Sequence, residues 1–323
     1  MAVAANAVAA NKALVQRWVA EGLDAADPGR ADALVDALLS PDYVNHALPA
    51  GVPPTREGFR QVLHGYRAAF PDLRITLDDL VAEGDRVVTR TTARGTHQGD
   101  LPGIPATGKP VALTSYALLR LAGGQIAEEW GVADQLGLLQ QLGVLPGMGA
   151  AAEDAASQGP ASATAARPPS APDESPAAHK AAARRVLDAL SRQDVGIIDE
   201  AFAPDYVHHG APGVETREHL KQLYAVLFRA FPDLRYEVAD ALAEGDRVAI
   251  RCTWSGTHRG ELLGGGWSVP PTGKSVTAPT IAIFRFAGGR IAEVWFGDDG
   301  LGVMQQLGLV PAPGAWPSEA AQR

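Results

Sequence analysis

The stretch Phe-Pro-Asp-Leu-Arg at residues 70–74 occurs a second time, unaltered, at residues 231–235. The same offset of 161 residues relates Ala-Glu-Gly-Asp-Arg-Val at 82–87 to the identical run at 243–248. Beyond an insertion around Gly264 the offset becomes 165 residues. Solenoid repeats have periods of roughly 20–50 residues, so a unit this long is not a solenoid repeat. The repetition therefore predicts two homologous domains.

The length of the chain agrees with two domains joined by a linker. A chain of 323 residues has room for about two domains of ordinary size. The matching runs place the domains at 10–146 and 179–313. The segment 147–178 between them is rich in Ala, Pro and Ser and contains no aromatic residue. Such a composition buries too little apolar surface to offset its ordering entropy, so a disordered linker is predicted there.

Composition excludes several classes of protein. Hydrophobic residues make up 46% of the chain and charged residues 20%, which is typical of globular proteins. The formal net charge of -9 argues against nucleic-acid binding, which requires basic surfaces. No apolar run approaches the ~20 residues of a membrane-spanning helix, and the N-terminus lacks the basic start of a secretory signal. The single cysteine, Cys252, excludes an intrachain disulfide and a cysteine-built zinc site. A cytoplasmic protein is predicted.

Each repeat shows helices first and strands afterwards. Apolar residues recur at i, i+3, i+4, i+7 and i+11 from Phe59 to Phe70, which predicts a helix that Pro71 ends. This order predicts an α+β domain in which helices cover one face of an antiparallel sheet and enclose a pocket. The predicted segments of the first repeat are helices at 11–21 and 30–39, a short extended segment at 43–46, strands at 73–82, 86–97, 109–121 and 125–134, and a closing helix at 136–142.

Two apparent ligand motifs have simpler interpretations. The run 103–109 resembles a phosphate-binding loop, but Pro110 follows where Ser or Thr is required, so a hairpin loop is favoured. Corresponding histidines occur in the two repeats without the spacing of a metal site. No metal is predicted, and hydrogen-bonding roles at a pocket mouth or in a loop are favoured for His46, His209, His97 and His258.

A carboxylate on the last strand is the main catalytic candidate. Glu128, Trp130 and Asp134 share one parity, and the second repeat has Glu293, Trp295 and Asp299. A carboxylate beside an indole has its charged form desolvated and its pKa raised, which suits a general base. Two alternatives remain open. Asp134 directly precedes a helix and has the type of an N-cap residue, and Glu128 has the type of an outward salt-bridge partner.

Arginines alternate with apolar residues on a central strand of each repeat. Arg251 lies between Ile250 and Cys252, and Arg90 is its counterpart. If this face lines the pocket, the guanidinium group stabilises an enolate or binds a carboxylate. If it faces solvent or the other domain, the arginine belongs to a surface or an interface.

The ordered set of motifs resembles one family. Pro-Asp-Tyr-Val-x-His, Phe-Pro-Asp-Leu, Gly-Thr-His-x-Gly, Pro-x-Thr-Gly-Lys, Gly-Gly-x-Ile-Ala-Glu-x-Trp and Gln-Gln-Leu-Gly occur twice in that order. This set resembles the SnoaL-like polyketide cyclase (ester cyclase) family of the ketosteroid-isomerase-like or nuclear-transport-factor-like superfamily. The resemblance covers both repeats. It implies two tandem cone-shaped α+β barrels, each with a curved antiparallel sheet, about three helices and an apolar cavity.

The resemblance also implies an activity. Cyclases of this family use no metal and no cofactor, and an aspartate before the closing helix removes a proton from carbon between two carbonyls. The enolate then closes a ring by intramolecular aldol addition. The matching positions are Asp134 and Asp299, and the expected substrate is a hydrophobic, polyketide-like carbonyl compound. Candidates for orienting it are His46, His209, His97, His258, Trp130, Trp295, Arg90, Arg251, Tyr43 and Tyr206.

Other functions and the assembly follow from the same resemblance. A non-catalytic module that binds a hydrophobic ligand or a partner is one alternative, and epoxide hydrolase-like water addition is another. The pockets are expected to differ, because Ser115 and Tyr116 of the first repeat correspond to Thr280 and Ile281 of the second. Single-domain relatives pair through their sheets, so an intrachain pseudo-dimer is predicted, with further homo-oligomerisation left open.

Overall fold

Two sheets of five strands, each with its own helices, form the architecture of this computed structural model. The described part of the chain divides into two compact units, domain 1 with residues 2–145 and 308–311 and domain 2 with residues 174–307. The structure describes residues 2–24, 27–145, 174–210, 214–264 and 267–311.

Domain 1 begins with helices and continues with strands. Its first helix runs directly into a π-helical segment, Trp18–Leu23. In chain order its elements are α1 (Ala2–Arg17), α2 (Pro28–Leu38), β1 (Leu39–Asn45), α3 (Arg56–Ala69), β2 (Arg74–Glu83), β3 (Arg86–Thr96), β4 (Pro110–Ala122), β5 (Gln125–Ala133) and α4 (Gln135–Leu142).

Domain 2 repeats this order and adds a short hairpin. Its elements are α5 (Pro176–Ser191), α6 (Gly196–Ala201), β6 (Phe202–His209), α7 (Arg217–Ala230), β7 (Arg235–Glu244), β8 (Arg247–Thr257), β9 (Leu262–Gly264), β10 (Trp267–Val269), β11 (Ser275–Ala287), β12 (Arg290–Asp298) and α8 (Gly300–Leu307).

The sheets confirm the α+β prediction and correct one detail of it. The strand orders are β1-β5-β4-β3-β2 and β6-β12-β11-β8-β7. The four later strands of each sheet are antiparallel, as predicted, but β1 pairs with β5 in parallel and β6 pairs with β12 in parallel. Parallel neighbours need a long connection, and the helix and three strands between β1 and β5 provide one.

The helices differ from the prediction in number and in limits. Within the described residues each domain has four α-helices, as the residue pattern of the first repeat predicted, where the resemblance implied about three. Helix α1 begins at Ala2, ahead of the predicted domain start at residue 10. Helix α5 begins at Pro176, inside the predicted linker, because Ser175 caps its N-terminus by accepting a hydrogen bond from the Ala178 amide. Most of the predicted linker, 147–173, lies outside the described residues.

The third helix of domain 1 forms as its apolar spacing predicts. Thr55 caps it by accepting a hydrogen bond from the Gly58 amide, and Phe70 ends it before Pro71. In domain 2 Thr216 caps α7 in the same way, through the amide of His219. These helices pack on the sheet face that carries each domain's core.

The Gly-Thr-His-x-Gly motif marks a close approach of two chain segments. A side chain at Gly99 would overlap the carbonyl oxygen of Ala68, and one at Gly260 would overlap that of Arg229. Both glycines donate amide hydrogen bonds to the C-terminal end of the preceding long helix. The glycine is therefore required because backbone lies against backbone.

Candidate functional site

A cavity lies between the helices of domain 2 and the helix-covered face of its sheet. The cavity has a volume of about 50 Å³. Helices α5 and α7 form one wall, and strands β6, β7, β8, β11 and β12 form the other. The lining residues are Val186, Leu187, Leu190, Phe202, Tyr206, His208, Leu220, Tyr224, Tyr236, Ile250, Cys252, Thr280, Ala282, Phe284, Val294 and Phe296.

The polar groups of this cavity form two pairs and leave two atoms unpaired. The Tyr206 hydroxyl is 2.6 Å from Nδ1 of His208, and the hydroxyls of Tyr224 and Tyr236 are 3.2 Å apart. Oγ1 of Thr280 and Nε2 of His208 are buried without a hydrogen-bond partner in the part of the chain that the structure describes. Such atoms are costly to bury, so they mark a place where a ligand can bind.

The equivalent interior of domain 1 contains an acid. Glu129 corresponds to Val294, and it lies on the helix-covered side of β5 because it pairs with the core residue Leu119. The Tyr43 hydroxyl donates a hydrogen bond of 2.5 Å to Oε2 of Glu129. The Asn45 side-chain amide donates to the Tyr43 oxygen over 2.9 Å. Domain 1 thus has a chain of three polar groups where domain 2 has Tyr206, His208 and an apolar valine.

Burial controls the protonation of this group. Desolvation raises the pKa of the Glu129 carboxyl, and the hydrogen bond from Tyr43 opposes part of that rise. Desolvation also raises the pKa of Tyr43 well above its ordinary value, and the adjacent carboxylate raises it further. Tyr43 is therefore a neutral hydrogen-bond donor at pH 7. As a whole residue Glu129 is half-buried, whereas its partner Tyr43 is buried.

The two predicted bases, Asp134 and Asp299, stand at helix starts. Oδ1 of Asp134 accepts a hydrogen bond of 2.8 Å from the Gly137 amide, and Asp299 does the same with the Gly302 amide. This is the N-cap interaction named as the alternative. Asp134 is exposed and Asp299 is half-buried.

His46 belongs to a cluster on the outer side of the domain 1 sheet. Its ring stacks on Trp130 with centroids 4.8 Å apart, and its Nε2 lies 3.0 Å from Oε1 of Glu128. Arg120 donates to the other carboxylate oxygen over 2.8 Å. These ionic contacts lower the pKa of Glu128, with the bond from Arg120 as the largest cause. The contacts match the salt-bridge interpretation of Glu128.

Domain 2 has the same outer cluster. His209 stacks on Trp295 with centroids 5.0 Å apart, and Arg285 donates to Glu293 over 2.6 Å. Glu293 and Trp295 alternate with Val294 and Phe296, which line the cavity, so the cluster lies on the opposite face of β12. A second cation, Arg247, lies 5.5 Å from the centre of the Trp295 ring.

The strand arginines also face away from the interior. Arg251 lies between the cavity-lining residues Ile250 and Cys252 and donates to Asp240 over 2.7 Å. Arg90 donates to the buried Asp79 over the same distance. These contacts match the surface or interface interpretation.

His97 and His258 hold the loops between the long strands. Nδ1 of each accepts a backbone amide hydrogen bond of 3.2 Å, from Thr107 and Thr272 respectively. Burial lowers the pKa of both histidines, so both are neutral at pH 7. Neither histidine's other ring nitrogen has a hydrogen-bond partner among the described residues.

The structure therefore does not bring all the predicted site residues together in one pocket. Tyr43 and Tyr206 face the interiors, whereas the cavity lining of domain 2 does not include Asp299, His209, His258, Trp295 or Arg251. Sequence reasoning missed the interior residues Glu129, Asn45 and His208, whereas Thr280 stands at a position where the two pockets were predicted to differ. One signal was available: Asn45 and His208 differ within the otherwise matching Pro-Asp-Tyr-Val-x-His motif.

Neither a metal cluster nor a membrane span is found in the described segments. No group of three or more His, Cys, Asp or Glu side chains there is arranged to hold a metal ion. No helix in those segments is both long and apolar enough to cross a membrane. Cys252 is a buried free thiol, and burial raises its pKa to about 12.

A family model decides the relationship. The model of the SnoaL-like polyketide cyclases matches residues 13–142 and again residues 180–307. The chain belongs to the SnoaL-like polyketide cyclase family. Both copies of the family domain coincide with the two units of the structure, so the tandem arrangement predicted from the repeats is confirmed.

Solved structures of single-domain length are similar to parts of this SnoaL-like chain. TsrD from Streptomyces laurentii is 33% identical, with 42% of this chain and 97% of TsrD covered and a TM-score of 0.38. AclR from Streptomyces galilaeus is 34% identical, with 42% of this chain and all of AclR covered (100%) and a TM-score of 0.39. IdmH from Streptomyces antibioticus is 34% identical, with 41% and 98% covered and a TM-score of 0.36. No curated protein matches the chain.

Proposed function

We propose that this chain is a cofactor-independent cyclase or isomerase of hydrophobic, polyketide-like carbonyl compounds, with Glu129 of domain 1 as its proton acceptor. The observation that carries the proposal is a carboxyl group on the interior face of β5, desolvated and hydrogen-bonded to Tyr43. A raised pKa brings a carboxyl closer to the pH at which it both accepts and returns protons efficiently. The family membership supports the same class of reaction.

The reaction needs only one acid–base group. The Glu129 carboxylate takes a proton from the carbon between two carbonyl groups, which leaves an enolate and a neutral carboxylic acid. The enolate carbon attacks a second carbonyl of the same molecule, so a carbon–carbon bond forms and an alkoxide results. The carboxylic acid returns its proton to the alkoxide. Atoms and charge balance within one substrate, and the product is its cyclic isomer.

Tyr43 and Asn45 are positioning residues in this scheme. The Tyr43 hydroxyl holds Oε2 of Glu129, which directs Oε1 to the substrate proton. Asn45 is buried, and its amide fixes the hydroxyl of Tyr43. Each residue therefore acts on the carboxylate through the next residue in the chain of hydrogen bonds.

Asp134 is the alternative base, and a matched pair of variants separates it from Glu129. Glu129→Gln keeps the size and an acceptor for Tyr43 but cannot take a proton. Asp134→Asn also cannot take a proton, yet asparagine caps a helix about as well as aspartate. The helix start is therefore preserved while the candidate base is removed.

The assay follows deuterium exchange at the activated carbon of ethyl benzoylacetate, a hydrophobic β-keto ester, by NMR. We expect Glu129→Gln to lower kcat/KM by about 10²- to 10⁴-fold, the usual contribution of a general base. Asp134→Asn should stay within about twofold of the wild type. The opposite ranking would assign the base to Asp134, and no acceleration by the wild-type protein over buffer would contradict the proposed activity.

The predicted pairing of the two domains within one chain stays a prediction. A mass of 33.7 kDa by light scattering, which is the mass of one chain, would agree with two domains that pair within the same chain. A stable dimer of chains would contradict it. The predicted cytoplasmic location also stays a prediction.

A further inference from the structure

Two hydroxyl groups face each other on the interior side of the domain 1 sheet. Thr91 of β3 pairs directly with Ser115 of β4. Their counterparts in domain 2, Cys252 and Thr280, pair in the same way, and both line the cavity. Residues directly opposite each other on neighbouring antiparallel strands have Cβ atoms about 5 Å apart. Both hydroxyls of domain 1 can therefore reach one ligand atom.

This pair of hydroxyls is available to a ligand in domain 1. Thr91 and Ser115 are half-buried, whereas Cys252 and Thr280 are buried. Neither hydroxyl of domain 1 has a hydrogen-bond partner among the residues that the structure describes. Each hydroxyl has one proton to donate, so the pair can donate two hydrogen bonds to one acceptor oxygen. The thiol of Cys252 is a weak donor, so domain 2 lacks the second strong donor.

The hydroxyl pair lies on the same face as the proposed proton acceptor but further along the sheet. Glu129 pairs with Leu119, and Ser115 pairs with Ala133. The two levels are four residues of β4 apart, which is roughly 14 Å at about 3.4 Å a residue. The glutamate side chain and the hydrogen bonds span part of this length, and the substrate spans the rest. A substrate whose acidic carbon contacts Glu129 therefore presents its far end to the hydroxyls.

The wall between the two levels carries no large side chain in domain 1. Gly131 pairs with Ala117 there, and its level on β5 lies between those of Glu129 and Ser115. The counterpart of Gly131 in domain 2 is Phe296, whose ring lines the cavity. Because domain 1 has no ring at this position, a planar ring of the substrate can lie over the glycine.

We infer that Thr91 and Ser115 are specificity-determining residues, which bind a carbonyl oxygen at the end of the substrate remote from the acidic carbon. The preferred substrate therefore has oxygen groups at both ends, with the remote one uncharged, rather than one reactive end and an apolar tail. The inference rests on the proposed function, because it names the substrate class of the same site. Domain 2 lacks this arrangement, since Cys252 and Phe296 replace the threonine and the glycine.

The test compares two β-keto esters on the full chain. Ethyl (para-acetylbenzoyl)acetate places a ketone oxygen at the far end of the ring from the acidic carbon, and ethyl (para-isopropenylbenzoyl)acetate replaces that oxygen with CH₂. Deuterium exchange at the acidic carbon is followed by NMR, and each rate is divided by the rate in buffer to correct for the different acidities. We expect the wild type to prefer the acetyl compound through KM rather than kcat, because the remote hydrogen bonds are the same before and during proton transfer.

Matched variants remove or keep each hydroxyl. Thr91→Val keeps the shape of the side chain, and Ser115→Ala removes only the oxygen. Each should raise KM for the acetyl compound by about 2- to 10-fold and leave KM for the isopropenyl compound within about twofold. Thr91→Ser and Ser115→Thr keep a hydroxyl and should retain the preference. Thr91→Cys, which installs the domain 2 residue, should lose it and replaces Thr91→Val if that variant fails to fold.

Equal KM values for the two compounds in the wild type, or an equal rise for both in the folded valine and alanine variants, would overturn the inference. Dissociation constants of both compounds are also measured in Glu129→Gln, which cannot take the proton. Tighter binding of the acetyl compound there, abolished when Thr91→Val is added, supports the hydroxyl pair even if the wild type shows no turnover. The absence of turnover would then contradict only the proposed function. Equal binding of the two compounds in Glu129→Gln would overturn the inference while leaving the proposed catalysis intact.

Discussion

The outer surfaces of the two sheets agree, whereas the interiors do not. Both domains keep a histidine stacked on a tryptophan beside a glutamate, with centroid distances of 4.8 and 5.0 Å. Inside, Glu129 and its hydrogen bond from Tyr43 in domain 1 correspond to an apolar valine in domain 2. The two copies have therefore kept the same scaffold while the polar groups of their interiors have diverged.

Putting the domain 1 acid into domain 2 is expected to have the largest effect. Val294→Glu places a carboxylate among apolar walls without a cation in the lining, which should destabilise domain 2 by about 3–5 kcal/mol at pH 8. Val294→Gln has the same size but no charge. The difference between the two should shrink at low pH, because the introduced carboxyl then takes up a proton.

Hydrogen exchange of peptides from β8 and β11 reports the stability of domain 2 in these variants, and peptides from β3 and β4 provide the control in domain 1. Equal destabilisation by Val294→Glu and Val294→Gln at every pH would show that size, not charge, is what the interior of domain 2 rejects.

Removing the tyrosine hydroxyl should affect the two domains differently. The bond from Tyr43 lowers the pKa of Glu129, so Tyr43→Phe should raise that pKa further. The base is active when deprotonated, and activity is lost as pH falls through its pKa. The acidic limb of kcat/KM should therefore move to higher pH. Tyr43→Phe should also cost domain 1 about 1–3 kcal/mol, because a buried acceptor is left unpaired.

The matched variant is Tyr206→Phe, which removes the equivalent hydroxyl from domain 2. Its pH profile of deuterium exchange should coincide with that of the wild type. A shift in this variant, or an unmoved profile in Tyr43→Phe, would contradict the assignment of the reaction to domain 1.

Removing the helix-capping aspartate should destabilise the two domains equally, and this is the smallest effect that we expect. Asp134→Ala should destabilise domain 1 by about 1 kcal/mol, and Asp299→Ala should do the same to domain 2. The asparagine variants should lose only a few tenths of a kcal/mol of stability, since asparagine caps a helix about as well as aspartate. Hydrogen exchange in α4 measures the effect in domain 1, and hydrogen exchange in α8 measures it in domain 2. A large loss with asparagine would mean that the carboxylate charge does more than cap the helix.

Much of the fold could be predicted from sequence because the repeats carry local signals. The apolar spacing from Phe59 to Phe70 predicted α3, and the turn glycines separated β2 to β5 within one or two residues of their observed ends. The parallel pairing of β1 with β5 was missed. It depends on contacts between distant segments, which no local pattern specifies.

The interior acid was missed because alternation along β5 is interrupted. The pairing of β4 with β5 shifts register between Arg120 and Leu121, so Ile126 and Glu129 face the interior although they differ in parity. A bulge of this kind reverses the face predicted by counting in twos from a residue on its other side. Glu128 and Trp130 do share a face, as predicted, but it is the outer one.

Titration of the Glu129 carboxyl tests its proposed role as the proton acceptor without the need for a substrate. The ¹³C shift of its carboxyl carbon is followed across pH in the full chain, and Glu129→Gln identifies the resonance. We expect a midpoint above 4.5, the ordinary value for glutamate, because burial disfavours the charged form. A midpoint at or below 4.5 would contradict that role.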